Sequence, residues 1–310
     1  MSLTRNIVFK NFKIKGNTKN IRKDLFKILK NKNQILISLS NEYSYSYPNT
    51  LITKYKKKFS ALRIIGMGGS ILGMKAIYSF LKFKIIKKVF FVDNLVSSQK
   101  NINEKKCLNL IISKSGNTLE TISNTNLLIK KKQKNIFITE NKDNYLRNLA
   151  TKLKSEIVDH NNFIGGRYSV LSEVGMLPAS LIGLKEKKFK QFNKLIKNKK
   201  FMNSLITNVA NVIHFIKKKK LNSIIVNYDE SSDDFFRWYQ QLVAESLGKK
   251  QQGLFPSIST MPKDNHSLMQ LYLDGPKNNF FTFFSIVENK SDKLINHELL
   301  KSHSYLKNKN

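Results

Sequence analysis

From Ala61 onward, short apolar runs alternate with longer amphipathic segments, and nothing else in the chain constrains its fold as strongly. A strand covered on both faces reads as a continuous apolar run, and the helix that returns the chain carries a 3.6-residue period, so this alternation builds βα units and a parallel sheet. Strands are expected at 62–65, 89–92, 108–112, 136–139 and 156–158. Helices are expected near 70–83, 117–131, 144–154 and 170–184. The fold class is therefore α/β, with one doubly wound domain over 50–185 preceded by an N-terminal segment, 1–49.

Residues 186–219 read as a helical connection, with Phe189, Phe192, Leu195 and Ile196, then Leu205, Val209, Val212 and Ile213, spaced for one apolar face. A second α/β pattern fills 220–310. It runs as strand 223–226, helix 233–247, a Gly/Pro/Ser-bearing loop 253–261, helix 264–273 and strand 280–286. With two visible strands, the second parallel sheet reads as incomplete and its domain as truncated. No fixed-period repeat is present.

The 310 residues are 41% apolar, enough for a substantial core, and carry a net charge of +34. Such a balance raises nucleic acid or an anionic surface as partner. Only six of the 55 basic residues are Arg, however, and readers of nucleic acid favour Arg for its bidentate fork. The Lys runs at 56–58, 130–132 and 217–220 end apolar-periodic segments, as solvated helix ends do. Nucleic acid and membrane are thus not expected as partners; a non-specific anion binder is the alternative. A single cysteine, Cys107, points to a reducing compartment, the cytoplasm. Neither the opening residues, Met1 to Asn6, nor any run of 18 apolar residues supports a signal peptide or a membrane span.

Five segments carry chemistry. Gly66-Met67-Gly68-Gly69-Ser70 follows an apolar strand and opens a helix, where unpaired N–H groups and the positive dipole end welcome an anion; a tight structural turn is the other reading. Ser113-Lys114-Ser115-Gly116-Asn117-Thr118-Leu119-Glu120-Thr121 sets four hydroxyls around a glycine at a helix start. Those hydroxyls make a neutral cradle for a phosphate monoester, and helix capping accounts for only one or two of them. In Phe163-Ile164-Gly165-Gly166-Arg167-Tyr168-Ser169 a rare Arg follows two glycines. It suits either an oxyanion that develops during reaction or a structural carboxylate pair.

The fourth segment is the helix over 233–247, where Trp238, Gln241 and Glu245 share a face. A carboxylate beside an indole reads as a partly desolvated general base, against the plainer reading of a surface Glu near a helix end. In Pro262-Lys263-Asp264-Asn265-His266-Ser267, Asp264 is placed to cap a helix. His266 then lies in the first turn, either structural or ready to exchange protons. No Cys/His spacing supports a metal, and no metal is expected.

In this order the segments resemble the phosphoglucose isomerase family, over about residues 66–275. The strings that carry the resemblance are Gly-x-Gly-Gly-Ser, Ser-Lys-Ser-Gly-Asn-Thr-x-Glu-Thr, Gly-Gly-Arg-Tyr-Ser, Gln-x-x-x-Glu-Ser-x-Gly-Lys and Asp-x-His-Ser. The resemblance implies two sugar-isomerase (SIS-type) domains, a homodimer, and interconversion of glucose 6-phosphate and fructose 6-phosphate through a cis-enediol. It implies that Ser70, Ser113, Ser115, Thr118 and Thr121 hold the substrate phosphate, with Gly69, Gly166 and Gln241 also at the substrate. Glu245 would move the proton between C1 and C2, Arg167 would stabilise the enediolate, and His266 of the neighbouring subunit would open the ring. No organic cofactor is implied. Family members continue further and supply a late Lys; Lys301, Lys307 and Lys309 sit in a polar tail without the matching pattern, and none is given that role. A dual-specificity phosphoglucose/phosphomannose isomerase and a non-catalytic SIS-type sugar-phosphate sensor are the alternatives.

Overall fold

The structure is a computed structural model that describes residues 7–8, 16–31, 33–97, 104–287 and 301–306. Residues 1–6, Lys307 and Lys309, to which expectations were attached above, lie outside them. The described chain opens with three helices, α1 (Lys19–Lys30), α2 (Gln34–Ser38) and α3 (Asn49–Lys56). Then come β1 (Ala61–Gly66), α4 (Leu72–Leu81), β2 (Lys88–Val92), β3 (Cys107–Ile112), α5 (Leu119–Leu128), β4 (Asn135–Thr139), α6 (Tyr145–Lys152), β5 (Glu156–Asp159) and α7 (Glu173–Leu181). All five strands run parallel in the order β2-β1-β3-β4-β5. Every residue of β3 is buried, as the continuous apolar run requires of a strand covered on both faces.

Period-2 alternation divides the sheet core into two halves. Leu62, Ile64, Leu108, Leu110, Ile112, Ile136 and Ile138 face α3, α4 and α7, whereas Ile65, Ile111 and Phe137 face α5 and α6. The strand order reverses direction between β1 and β3, and in an open α/β sheet a ligand binds in the crevice beyond the carboxyl ends of the strands at such a switch. The loops that leave β1 and β3 are the glycine loop at 66–70 and the hydroxyl loop at 113–118.

Two helices follow the first sheet, α8 (Phe192–Ile196) and α9 (Lys199–Lys217). The second sheet follows with β6 (Asn222–Asn227), α10 (Asp233–Leu247), β7 (Phe255–Thr260), α11 (Met269–Asp274) and β8 (Asn279–Phe284). Its order is β7-β6-β8, also parallel. Two expectations are corrected here. The stretch 253–261 is not a loop, because 255–260 pairs with β6 along its full length, and the sheet therefore has three strands rather than two. Pro256 is tolerated because β7 is an edge strand, where a missing N–H costs no ladder bond on the open side. The helix expected over 264–273 starts only at Met269.

Helix α10 joins the two sheets. Asp233 and Asp234 occupy its first turn, where carboxylates oppose the positive dipole end. Asp233 accepts hydrogen bonds from Asn227 Nδ2 at 2.7 Å and Thr260 Oγ1 at 2.9 Å, fixing the helix start to β6 and β7. Further along, α10 packs against α4, and Trp238 rests on the core of the first sheet. Among the described residues no helix is long and apolar enough to cross a membrane.

Candidate functional site

The glycine loop is shaped by close backbone approach. Gly68 has φ +50°, a left-handed conformation that favours glycine, and a Cβ there would meet Gln241 Nε2 at 2.9 Å. A Cβ on Gly69 would lie 2.2 Å from the carbonyl carbon of Gly166 and 2.4 Å from Arg167 N. The glycines at 69 and 166 thus let two backbones touch, so the loop after β1 is seated on the segment that carries Arg167. Ser70 is largely buried, and its hydroxyl makes no hydrogen bond to the described residues.

In the hydroxyl loop Ser113 Oγ and Thr118 Oγ1 are 2.9 Å apart, and Ser113 Oγ also accepts from Gly116 N at 3.2 Å. Gly116 turns the chain with φ +67° beside Asn144, whose side chain caps α6. Thr118 precedes α5 but does not cap it through its side chain, so helix capping does not account for that hydroxyl. Ser115 is exposed and accepts from Asn117 N at 3.2 Å. Thr121 departs from the set: it is fully buried in the sheet-facing side of α5, and its Oγ1 has no hydrogen-bond partner among the described residues. Its spacing from Thr118, three residues, put both on neighbouring positions of one helix, but only Thr118 stands at the open end.

Lys114 is tied away from the loop. Its Nζ donates to Asn162 O at 2.8 Å and lies 3.4 Å from Glu140 Oε1. Burial works to raise the Glu140 carboxyl, but hydrogen bonds from Lys142 and Lys114 outweigh it and hold that group below its ordinary pKa.

Arg167 and Glu245, distant in sequence, meet. Arg167 lies in a 3₁₀ segment, Gly166–Leu171, and its Nη1 donates to Glu245 Oε1 at 2.8 Å. The two sequence readings of Arg167 therefore coincide, since the carboxylate it pairs with is the other candidate catalytic residue. Its Nε donates to Ser246 Oγ at 2.9 Å, and its guanidinium carbon lies 4.6 Å from the centre of the Tyr168 ring. Trp238 Nε1 donates to Arg167 O at 3.1 Å. The indole thus holds the arginine backbone instead of enclosing the carboxylate, and Glu245 remains 52% exposed, which corrects the expected desolvation. Gln241 lies one turn before Glu245, against Gly68, with its Oε1 buried and without a hydrogen-bond partner among the described residues. A cavity of about 400 Å³ opens beside it, lined among others by Lys75, Asp93, Arg237 and Gln240.

His266 stands apart from this assembly. It is exposed in the turn after Lys263–Asn265, and no hydrogen bond links its ring to the described residues. Asp264 does not cap a long helix; it accepts from Thr260 N at 2.7 Å and Ser267 Oγ at 3.1 Å, closing the turn that displays His266. Sequence reasoning gave no role to Ser246, Tyr168 or the Trp238 indole N–H in holding Arg167. For Tyr168 and Ser246 the only signal was membership in the strings Gly-Gly-Arg-Tyr-Ser and Gln-x-x-x-Glu-Ser-x-Gly-Lys; Trp238 lies outside both and was marked only by its place on the helix face of Glu245.

Comparison with known proteins covers the stretch of chain that holds these residues. A family model described as phosphoglucose isomerase matches residues 50–302. The glucose-6-phosphate isomerase of Methanocaldococcus jannaschii is 35% identical over 268 residues, 80% of this chain and 66% of that protein. That of Campylobacter jejuni is 33% identical over 75% of this chain and 62% of its own length. The chain spans less than two thirds of the length of these curated relatives. Among solved structures, a hypothetical protein of Thermus thermophilus superposes with TM-score 0.75 at 22% identity, over 94% of this chain and 76% of that one. A glucose-6-phosphate isomerase from Chlamydia trachomatis gives 0.64 at 20% identity, over 88% and 58%. These two likenesses show a shared fold.

Proposed function

This chain belongs to the phosphoglucose isomerase family, and from that premise we propose that it interconverts glucose 6-phosphate and fructose 6-phosphate as an aldose-ketose isomerase. The observation that carries the reading is the junction at Gly69. Its contact with Gly166 and Arg167 joins the loop at the β1/β3 switch to the Arg167–Glu245 pair, making one site. Ser70, Ser113, Ser115 and Thr118 bind the substrate phosphate with hydroxyl and backbone donors, which leaves the dianion without a fixed lysine partner. Thr121 supports that cradle from inside the helix and does not touch phosphate.

The Glu245 carboxylate takes the proton from C1 of the ketose or C2 of the aldose and returns it to the neighbouring carbon. The electron pair passes to the carbonyl oxygen, and the cis-enediolate formed carries negative charge that the Arg167 guanidinium neutralises. For this, Glu245 must part from Arg167, which its half-exposed position on the last turn of α10 permits. Gln241 orients the sugar from one turn earlier on the same helix. His266 of the partner subunit opens the ring in a homodimer, which fits its exposure and its lack of a hydrogen-bond partner among the described residues. A cytoplasmic site of action fits the single, buried Cys107.

A coupled assay for glucose 6-phosphate formed from fructose 6-phosphate tests this. The wild-type chain turns over, with mannose 6-phosphate formed far more slowly. Glu245→Gln and His266→Ala each lose about 10³-fold in kcat. When the two variants are unfolded and refolded together, random dimers contain one intact site in every four, and about a quarter of wild-type activity returns. A folded wild type that binds fructose 6-phosphate without converting it excludes the enzyme and leaves a sugar-phosphate sensor. Equal mannose 6-phosphate turnover makes it dual-specific.

A further inference from the structure

Arg167 must do two things in the reaction that oppose each other. It has to release Glu245 when the carboxylate turns to the C–H bond, and it has to stay in place to meet the charge that then forms. A guanidinium is planar and presents its N–H groups in a fixed fork, so whichever group holds Nε sets the direction of the two outer nitrogens. In this structure the holder is Ser246, whose Oγ accepts from Arg167 Nε at 2.9 Å. Ser246 Oγ also lies 2.7 Å from the Tyr168 hydroxyl, and the Tyr168 ring covers one face of the guanidinium at 4.6 Å. A hydroxyl has one proton and two acceptor positions, so both contacts can be made at once.

The placement on the helix matters as well. Residues 245 and 246 are successive positions on the last turn of α10, about 100° apart around its axis. Arg167 therefore grips the helix end at two points, Nη1 on Glu245 and Nε on Ser246. When the first grip opens for catalysis, the second remains. The Tyr168 hydroxyl reinforces it: although burial works to raise its pKa, the hydrogen bonds with Ser246 and Arg167 and the charges of Arg167 and Lys249 bring it below the usual value for a phenol. That oxygen is thereby polarised toward the cation.

We propose that Ser246 is a positioning residue for the isomerisation: through its hydrogen bond to Arg167 Nε, and backed by the Tyr168 hydroxyl, it keeps the guanidinium aimed at the enediolate oxygen while Glu245 moves away. The inference rests on the isomerase reading above and deepens it. Its cost is selective, because an electrostatic group held ready for the transition state lowers the barrier without tightening the ground state.

The test compares wild type with Ser246→Ala, Ser246→Thr and Tyr168→Phe. Removal of the Ser246 hydroxyl lowers kcat about 10- to 50-fold, while KM for fructose 6-phosphate stays within about twofold. Affinity for a phosphorylated sugar hydroxamate, a planar anionic imitation of the enediolate, falls by a similar factor. Thr at 246 restores kcat to within about threefold of wild type, since it returns the hydroxyl. Tyr168→Phe gives a smaller loss in the same direction.

The chain has only six Arg, so the Arg167 Nε–H resonance can be assigned by its loss in Arg167→Lys. It exchanges slowly with water in wild type and fast in Ser246→Ala. Two results overturn the proposal: Ser246→Ala with wild-type kcat, or a kcat loss that Thr does not restore and that comes with an equal rise in KM and a lower melting temperature. If wild type itself shows no turnover, the isomerase reading fails separately, and Nε–H exchange together with hydroxamate binding still decides the role of Ser246. Unchanged exchange in Ser246→Ala sinks it.

Discussion

At the scale of single residues the site depends on atoms that are missing. Gly69 has no side chain, and that lets its backbone rest on Gly166 and Arg167; a methyl there would overlap both within 2.5 Å. Overpacking against rigid backbone costs about 1–3 kcal/mol, and a displacement of a catalytic group by about 1 Å costs about a hundredfold in rate. Gly69→Ala should thus fold with a reduced melting temperature and lose about 10²-fold or more in kcat. Gly165→Ala is the control, because its Cβ would meet nothing closer than a Tyr168 ring carbon at 3.5 Å, and its φ of −66° suits any residue. Thermal melts and the coupled assay on both variants check this; equal effects of the two substitutions would refute the contact argument.

Much of this residue layer was legible in the chain. Arg167 stood out by rarity among lysines and Glu245 by its place on a helix face. The hydroxyls of 113–118 outnumbered what capping needs. Ser246 was not legible, since a hydroxyl in the last helical turn looks the same whether it faces water or an arginine. The string at 113–121 does not tell Thr121 from its exposed neighbours, because it does not say which side of the helix the sheet covers.

At the scale of elements, the central strands β1, β3 and β4 were legible because burial on both faces writes a largely apolar run. β7 was not, because Phe255-Pro256-Ser257-Ile258-Ser259-Thr260 mixes small polar residues with Pro, and only pairing with β6 makes it a strand. The N-terminal segment was equally silent, yet it builds a buried wall. Tyr43 and Tyr47 are buried; the Tyr43 hydroxyl donates to the buried Glu173 carboxylate at 2.9 Å, and the Lys190 ammonium sits over the rings of Tyr43 and Tyr45. Lys190 Nζ also donates to Ser38 O and to Leu171 O, the carbonyl that ends the 3₁₀ segment carrying Arg167. Lys190, outside the lysine runs read as solvated helix ends, is enclosed by tertiary packing that composition does not reveal.

Burial depresses the Lys190 pKa to about 8, against the opposing charges of Glu173 and Glu186. The unfolded chain then binds more protons than the folded one between about pH 8 and the ordinary lysine value of 10.5, so this group makes stability rise with pH across that window and fall as pH drops toward 8. Tyr43, Tyr45 and Tyr47, all raised by burial, act in the opposite direction and only once unfolded tyrosines would ionise, near pH 10, where the folded chain holds more protons and stability falls as pH rises. Urea unfolding at intervals from about pH 7.5 to 9.5 should show a gain of at most about 2 kcal/mol that is absent in Lys190→Met. A parallel slope in the variant would show that Lys190 is not the group responsible.

At the scale of the whole molecule, two parallel sheets share one helix, α10. The first sheet supplies the hydroxyl loops and Arg167; the second anchors the start of α10 through Asp233, and the end of that helix delivers Glu245 and Ser246 to the first. Fold class could be read from the chain because the glycine and hydroxyl loops sit at strand-to-helix junctions, where local sequence sets the geometry. The joining of the sheets through α4 and α10 could not, since a helix surface does not announce its partner.

The most direct measurement runs the reaction in deuterium oxide and reads the product by NMR. Fructose 6-phosphate converted by the wild-type chain should yield glucose 6-phosphate carrying deuterium at C2, because the proton resides on Glu245 long enough to exchange, and Glu245→Gln should lower that incorporation about 10³-fold. Full turnover with no deuterium at C2, or undiminished incorporation in Glu245→Gln, would contradict proton transfer by Glu245.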